Sequence, residues 1–314
     1  MRQTRQPHPI PWDSLASEFA QALARADASP KTVVAYRWDL EVFLTWLKEG
    51  PASRATSLCR LSSIDLVAYR QHLVQVERLK PATINRRLQA LRRFFRWAKQ
   101  QDLVKEDPTD EVKPIRSGAR RQPHGLQDAE AHALLRTAGQ SGRGLAKRNY
   151  ALLQIMLQAG LRVSEVAGLR RADAVVHERS GSIRVRQGKG RKERLVPLNA
   201  TARRALTFYL KVRDRVKPDD ALFESERGTP MSVRSIQQVV TELARRAKVA
   251  RIRVSAHTLR HTFALGYLRH NPGKLVELAN LLGHESLDTT AIYTQPSMEE
   301  LADGLERSPL NVYG

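Results

Sequence analysis

Residues 255–293 read SAHTLRHTFALGYLRHNPGKLVELANLLGHESLDTTAIY. Ser255 is suited to cap a helix that begins at His257-Thr258-Leu259-Arg260-His261. A second, apolar helix runs from Lys274 to Leu282, and Leu282-Gly283-His284-Glu285-Ser286 follows it. Thr289, Thr290 and Tyr293 lie on the next helix. Helical register puts His257 and Arg260 on one face at i,i+3, where both can reach one phosphate. His257 and His261 share a face at i,i+4, the spacing of a zinc pair. No glutamate follows His257, so the metalloprotease pattern is absent and no metal site is expected.

Outward from this stretch the chain stays helical back to Ala200. Before it, Ser182 to Gln187 and Glu193 to Leu198 are short, β-branched and alternating. Gly188-Lys189-Gly190-Arg191-Lys192 joins them, which predicts a β-hairpin with a basic tip. It is not a phosphate-binding P-loop, because no Ser or Thr follows the lysine and a hairpin, not a helix, surrounds it. Helices are expected over Asp128 to Thr137 and Ala146 to Gln158, the second ended by Gly160. Arg162 stands just beyond, three residues before Glu165.

Residues 106–125 carry prolines, glycines and charge without apolar periodicity and read as a linker. Domain boundaries follow at 1–107, 108–125 and 126–314. The first domain shows four helical segments: Trp12 to Ala26, Ser29-Pro30 to about Lys48, Ser63 to Arg78 and Lys80 to Gln101. No strand-like alternation interrupts them, so a small helical bundle is expected. On the fourth segment Ile84, Leu88, Leu91, Phe95 and Ala98 form an apolar stripe. Arg86, Arg93 and Arg96 lie opposite, flanked by Arg87 and Arg92. No acidic residue between Arg86 and Lys99 pairs with them along the helix, so this face is expected to meet phosphates or a DNA groove.

Composition agrees. The 314 residues suit two domains, and the formal net charge is +21. Residues 1–124 hold 22 basic and 13 acidic side chains, residues 125–314 hold 31 and 19. The excess is shared by both halves, as in a clamp around a polyanion. The apolar run from Tyr150 to Leu161 is too short to span a bilayer, and no basic amphipathic helix with aromatic anchors stands out, so no membrane role is expected. Residues 1–11 are basic, polar and Pro-rich, unlike a secretory leader, and Cys59 is the single cysteine. Both features point to a reducing cytoplasm.

Arg162, Lys189, His257, Arg260, His284 and Tyr293 are thus two guanidiniums, an ammonium, two imidazoles and a phenol in order along the second domain. That set suits attack on a phosphodiester by a side-chain hydroxyl, with no acidic cluster required for a metal. The motifs GLRVSE (160–165), GKGRKER (188–194), AHTLRH (256–261) and LGH (282–284) with Tyr293 resemble the tyrosine recombinase, or phage integrase, family of the compact Xer-like kind. The resemblance extends over LVPL (195–198) and, in the first domain, over Ser29-Pro30, Thr32, Tyr36, Asp39-Leu40, Phe43 and Trp46-Leu47.

The resemblance implies a mainly α protein: an N-terminal SAM-like core-binding bundle and a mostly helical catalytic domain with a small hairpin or sheet. It implies that Tyr293 attacks DNA and leaves a 3′-phosphotyrosine. Arg162 and Arg260 would hold the phosphate oxygens, Lys189 would protonate the leaving 5′ oxygen, and His257 and His284 would assist. Glu165 would support Arg162, and Arg191 and Lys192 would contact DNA beside the five arginines of the fourth helix. Neither ATP nor a metal cofactor is implied. Strand exchange through a Holliday junction would need a homotetramer on duplex DNA, alone or beside a paralogous partner. The tail 297–314, with Met298, Leu301, Ala302 and Leu305 as a stripe, would pack into a neighbouring protomer. Only about ten residues precede the first helix, too few for an additional arm-site domain. A type IB-like topoisomerase and a non-enzymatic DNA-binding protein on the same fold are the alternatives.

Overall fold

The computed structural model describes residues 12–49, 58–116, 124–140, 142, 145–186, 193–213, 216–284, 286–294, 302 and 305–306. The chain divides into two compact units, Met1–Arg120 and Arg121–Gly314.

In the first unit, α1 (Trp12–Arg25), α2 (Pro30–Glu49), α3 (Ser63–Gln75) and α4 (Pro81–Gln100) form the expected bundle. Pro81 stands at the first turn of α4, where its fixed φ fits and its missing N–H costs nothing. The apolar stripe of α4 faces inward: Ile84, Leu88, Leu91, Phe95 and Ala98 are all buried. Their core is aromatic, with Phe19 edge-on to Phe94 at 5.4 Å and Phe43 edge-on to Tyr69 at 4.9 Å. Asp39 on α2 is fully buried beneath this packing, ion-paired with Arg86 and 4.0 Å from Arg87.

The unit continues past residue 107. Val112 is buried in its core, Ile115 packs against it, and the Asn85 side chain pairs with both backbone groups of Ile115 at 2.8 and 2.9 Å. Arg70 donates to the Lys113 carbonyl at 2.9 Å, and Arg92 donates to that of Val112. Residues 108–115, expected as linker, therefore pack on the bundle. Two apolar side chains in a Pro-rich run are enough to dock it but too few to show a period.

In the second unit, α5 (Asp128–Gly139) and α6 (Leu145–Ala159) precede the short α7 (Val163–Gly168). Helix α6 is buried almost all round, which explains its long apolar stretch, interrupted only by glutamines from Tyr150 onward. A three-stranded antiparallel sheet follows in the order β1 (Ala174–Val176), β2 (Gly181–Val185), β3 (Arg194–Pro197). β2 and β3 are the expected hairpin, and Ile183 faces Val196 across it. Ile183, Val185 and Val196 point into the core while Arg184, Leu195 and Pro197 face outward, the period of two that betrays the hairpin in sequence. β1 is an addition: three residues carry too little alternation to be read. Then come α8 (Ala200–Leu210), α9 (Val233–Arg246), α10 (Ala256–His270), α11 (Leu275–Leu282) and α12 (Asp288–Ala291). The Ser255 side chain caps α10 as expected, accepting from Thr258 N at 3.2 Å. Most of the expected tail helix lies outside the described residues. Among the described residues no helix is long and apolar enough to cross a membrane.

Candidate active site

The site is built around the C-terminal end of α11. A helix end leaves carbonyls without intrahelical partners and carries partial negative charge, so it attracts cations. Three arginines from three elements answer it. Arg194 at the start of β3 donates from Nε to the Leu281 carbonyl at 3.0 Å. Arg260 on α10 donates to the Leu282 carbonyl at 2.9 Å, and Arg162 donates to Leu282 at 3.3 Å and Gly283 at 3.0 Å. Gly283 closes α11 with φ +63°, and a side chain there would strike the Arg194 guanidinium, 2.7 Å from Nη1.

Arg162 stands at the N-cap of α7, presented by the turn at Gly160 (φ +60°). Glu165, on the first turn of α7, accepts from the Arg162 backbone N–H at 2.8 Å and from its Nη1 at 3.0 Å. Arg194 clasps the same carboxylate with both Nη atoms, each at 2.9 Å. Burial alone would push this carboxyl up. The hydrogen bonds and charges of Arg194 and Arg162 outweigh it and hold Glu165 below the usual carboxylate range.

Arg260 is buried, with 3% of its surface exposed. Its Nη1 donates to the Gly160 carbonyl at 2.7 Å, and its Nη2 lies 2.8 Å from His284 Nε2. Burial and the neighbouring Arg162 bring its pKa down to about 10, so it stays charged at neutral pH. A guanidinium has no acceptor, so His284 Nε2 must accept, and its Nδ1–H is left to donate to Thr290 Oγ1 at 2.7 Å. His284 is thus neutral in this tautomer, in line with a pKa lowered to about 4 by burial and by Arg260, Arg162 and Arg194. Each of Arg162 and Arg260 uses three of its five N–H donors on partners among the described residues. Two N–H groups on each remain for an anion.

His257 has an exposed edge at the first turn of α10, and partial desolvation of its ring, then Arg260 and Arg162, lower its pKa. Tyr293 lies two residues past α12 and is only 8% exposed, packed on Ala264, Leu278 and Leu282. Its phenol lies 2.8 Å from His261 Nδ1. Burial pushes this phenol above its ordinary value, against the pull of Arg260 and Arg162.

Arg162, Arg260, His284 and Glu165 therefore meet directly, with His257 and Tyr293 beside them. Lys189, Arg191 and Lys192 lie outside the described residues. Two residues of the site received no role from sequence: Arg194, readable only as one more charge in a basic motif, and His261, whose signal was its helical spacing from His257. In the first unit the five arginines divide. Arg93 and Arg96 are exposed. Arg86 bonds Asp39, Arg87 lies on Glu77 at 3.1 Å, and Arg92 bonds the Val112 carbonyl. The acids that engage Arg86 and Arg87 come from α2 and the α3–α4 turn, not from α4 itself.

The family model for "Phage integrase family" matches residues 124–300, and that for "Phage integrase, N-terminal SAM-like domain" matches residues 16–102. Tyrosine recombinase XerC of Neisseria gonorrhoeae is 34% identical over 285 residues, covering 90% of this chain and 91% of its own. Tyrosine recombinase XerD of Pseudomonas putida is 36% identical over 295 residues, 91% and 94% of the two chains. Among solved structures, XerH site-specific recombinase bound to palindromic difH substrate superposes with a TM-score of 0.75 at 21% identity, over 95% of this chain and 84% of that one. These matches define the class of fold: an N-terminal SAM-like bundle joined to a phage-integrase domain. The chain belongs to the phage integrase family and is a tyrosine site-specific recombinase, similar to its XerC and XerD relatives.

Proposed function

We propose that this chain recombines duplex DNA at a short core site through a covalent 3′-phosphotyrosine on Tyr293. The observation that carries this reading is the pair Arg162 and Arg260, held rigidly by the end of α11 with two N–H groups each to spare. Two planar forks, Arg260 buried and Arg162 half-exposed beside it, suit the non-bridging oxygens of one phosphodiester and the charge that grows on them. The Tyr293 oxygen forms the new bond to phosphorus while the bond to the 5′ oxygen breaks. Lys189 delivers a proton to that leaving oxygen. Neutral His284 has no free donor at Nε2 while Arg260 occupies it, so its first task is to orient Arg260. His257, neutral at the exposed mouth, takes up the proton that the Tyr293 phenol gives up as its oxygen attacks. Attack by a 5′-hydroxyl on the phosphotyrosine reverses the sequence and rejoins the strand, with no net bond energy lost and no ATP or metal needed.

Strand exchange between two duplexes calls for four such sites, hence a tetramer on DNA that passes through a Holliday junction, with residues 297–314 packing on a neighbour. Unit one grips the core site, through Arg93 and Arg96 above all, and Arg191 and Lys192 add contacts from the hairpin. A cytoplasmic location, beside the chromosome, follows from this substrate. The test is a nicked suicide substrate carrying the bound site. Tyr293→Phe should abolish the covalent adduct and leave site binding intact; adducts that persist would overturn the nucleophile assignment. Relaxation of a supercoiled plasmid lacking any site would instead favour a topoisomerase.

A further inference from the structure

The contact between His261 and Tyr293 is not explained by the roles above. His261 follows Arg260 on α10 and sits one turn after His257, its ring 4.1 Å from the His257 ring and 5.4 Å from that of Tyr293. The 2.8 Å contact with His261 Nδ1 is the phenol's one hydrogen bond among the described residues. None of the groups that would hold the phosphate bonds it.

We propose that His261 is a positioning residue that clasps the Tyr293 phenol in a resting place, protonated, from which it must be released to attack DNA. The proposal rests on the reading of Tyr293 as nucleophile. Three observations support it. First, both partners are neutral at physiological pH. Burial, His257 and Arg260 lower the imidazole to about 4, and burial raises the phenol above its ordinary value. With the imidazole lowered and the phenol raised, moving the phenol's proton onto His261 is strongly uphill, so His261 is a poor base but a sound hydrogen-bond partner. Second, a hydrogen bond between two neutral groups stabilises the protonated phenol, the unreactive form. Third, the whole segment 286–294 is anchored at two points: Thr290 to His284 at 2.7 Å and Tyr293 to His261 at 2.8 Å. Ala264, Leu278 and Leu282 seat the ring between them. An imidazole of one anchor also accepts from Arg260, so an anion that draws on Arg260 acts directly on the second anchor's neighbour. Arg260 reaches this segment through His284, which holds Thr290, so a phosphate drawing on Arg260 acts on the first anchor.

The experiment uses the full chain and a single-turnover suicide half-site, with site affinity measured separately. His261→Leu, which removes the hydrogen bond and keeps bulk, should raise the rate of covalent adduct formation about five- to tenfold, the worth of one released hydrogen bond. His261→Asn, which keeps a polar partner at a similar reach, should return the rate toward that of the parent chain, and Kd should be equal in all three. A slower rate with unchanged Kd would show that His261 serves the attack itself and would overturn the clasp. An unchanged rate would overturn it also. Should the variants unfold, the nitrogen-15 shift of His261 Nδ1 in the parent protein still decides: it should move in Tyr293→Phe and on binding the half-site. No movement in either would sink the proposal. The two readings fail separately, because loss of adducts in Tyr293→Phe with indifferent His261 variants removes only the clasp.

Discussion

Arg194 and Glu165, 29 residues apart in sequence, form a two-pronged ion pair with both N–O distances at 2.9 Å, and the carboxylate is 3% exposed. The same guanidinium bonds the Leu281 carbonyl, so one side chain joins β3, α7 and the end of α11. Arg194 touches no reacting atom in the proposed chemistry. It sets the position of the group that sets Arg162. Removing one partner of a buried pair leaves an uncompensated charge and costs about 3 kcal/mol or more. Arg194→Leu should therefore lower the unfolding free energy by that order in urea titration and reduce adduct formation by more than tenfold. Arg194→Lys retains the charge but not the fork, and should recover stability in part while cleavage stays impaired. Equal recovery of both would show that charge alone matters there.

Acid should destabilise the second unit in a defined window. His261 and His284 titrate near 4 when folded because burial and the adjacent cations oppose their protonation, against 6.5 in the unfolded chain. As pH falls below about 6.5 the unfolded chain takes up protons first. The stability each neutral imidazole contributes is complete above that value and is lost as pH drops toward 4. Near pH 5.5 these two sites account for an uptake of roughly two protons on unfolding. Glu165, held below the ordinary carboxylate range, adds its loss at lower pH still. Denaturation midpoints measured from pH 7.5 to 4.5 should fall steadily, and His284→Asn should flatten the slope. A profile indifferent to that substitution would mean that His284 is solvated, not held by Arg260.

Gly160 should tolerate no side chain. Its φ of +60° belongs to the left-handed region, and a Cβ there would lie 2.2 Å from Phe263 Cδ1 and 3.0 Å from Leu282 Cδ2. Its carbonyl is also an acceptor for Arg260. Gly160→Ala combines backbone strain with a clash in packed surroundings, together about 2–4 kcal/mol. Cleavage should fall along with stability, because Arg260 moves with the turn. A thermal midpoint within a degree of the parent would contradict this packing.

What the sequence made legible was periodic or punctuated. The stripe from Ile84 to Ala98, the Ser255 cap, the stop at Gly160 and the alternation around Ile183 and Val196 all record local rules that act within a few residues. The chemistry of Arg162, Arg260, His284 and Tyr293 was readable from their motifs. Their support was not. Arg194 looks like any basic residue until β3 is laid against α11, and its partner Glu165 is remote in the chain. Asp39 gives no sign that it will lie under α4 and take up Arg86. Val112 and Ile115 dock through only two side chains in a run that otherwise reads as linker. In each case the deciding contact is tertiary, between elements whose separate signals are clear.

Four of the five arginines of α4 should separate into two classes on substitution. Arg93 and Arg96 are exposed, whereas Arg87 lies on Glu77 with only 13% of its side chain exposed and Arg92 bonds the Val112 carbonyl. An arginine already committed to an internal partner has less to offer a phosphate, and its removal leaves that partner unsatisfied. Arg93→Gln and Arg96→Gln should weaken site binding several-fold each and lower the slope of log affinity against log salt by about one unit apiece. Thermal stability should hardly move. Arg87→Gln and Arg92→Gln should do the reverse, lowering the thermal midpoint by several degrees with a smaller change in the salt slope. Filter binding between 50 and 200 mM salt, paired with thermal melts, measures both quantities. A salt slope reduced equally by all four substitutions would show that Arg87 and Arg92 leave their internal partners when DNA arrives.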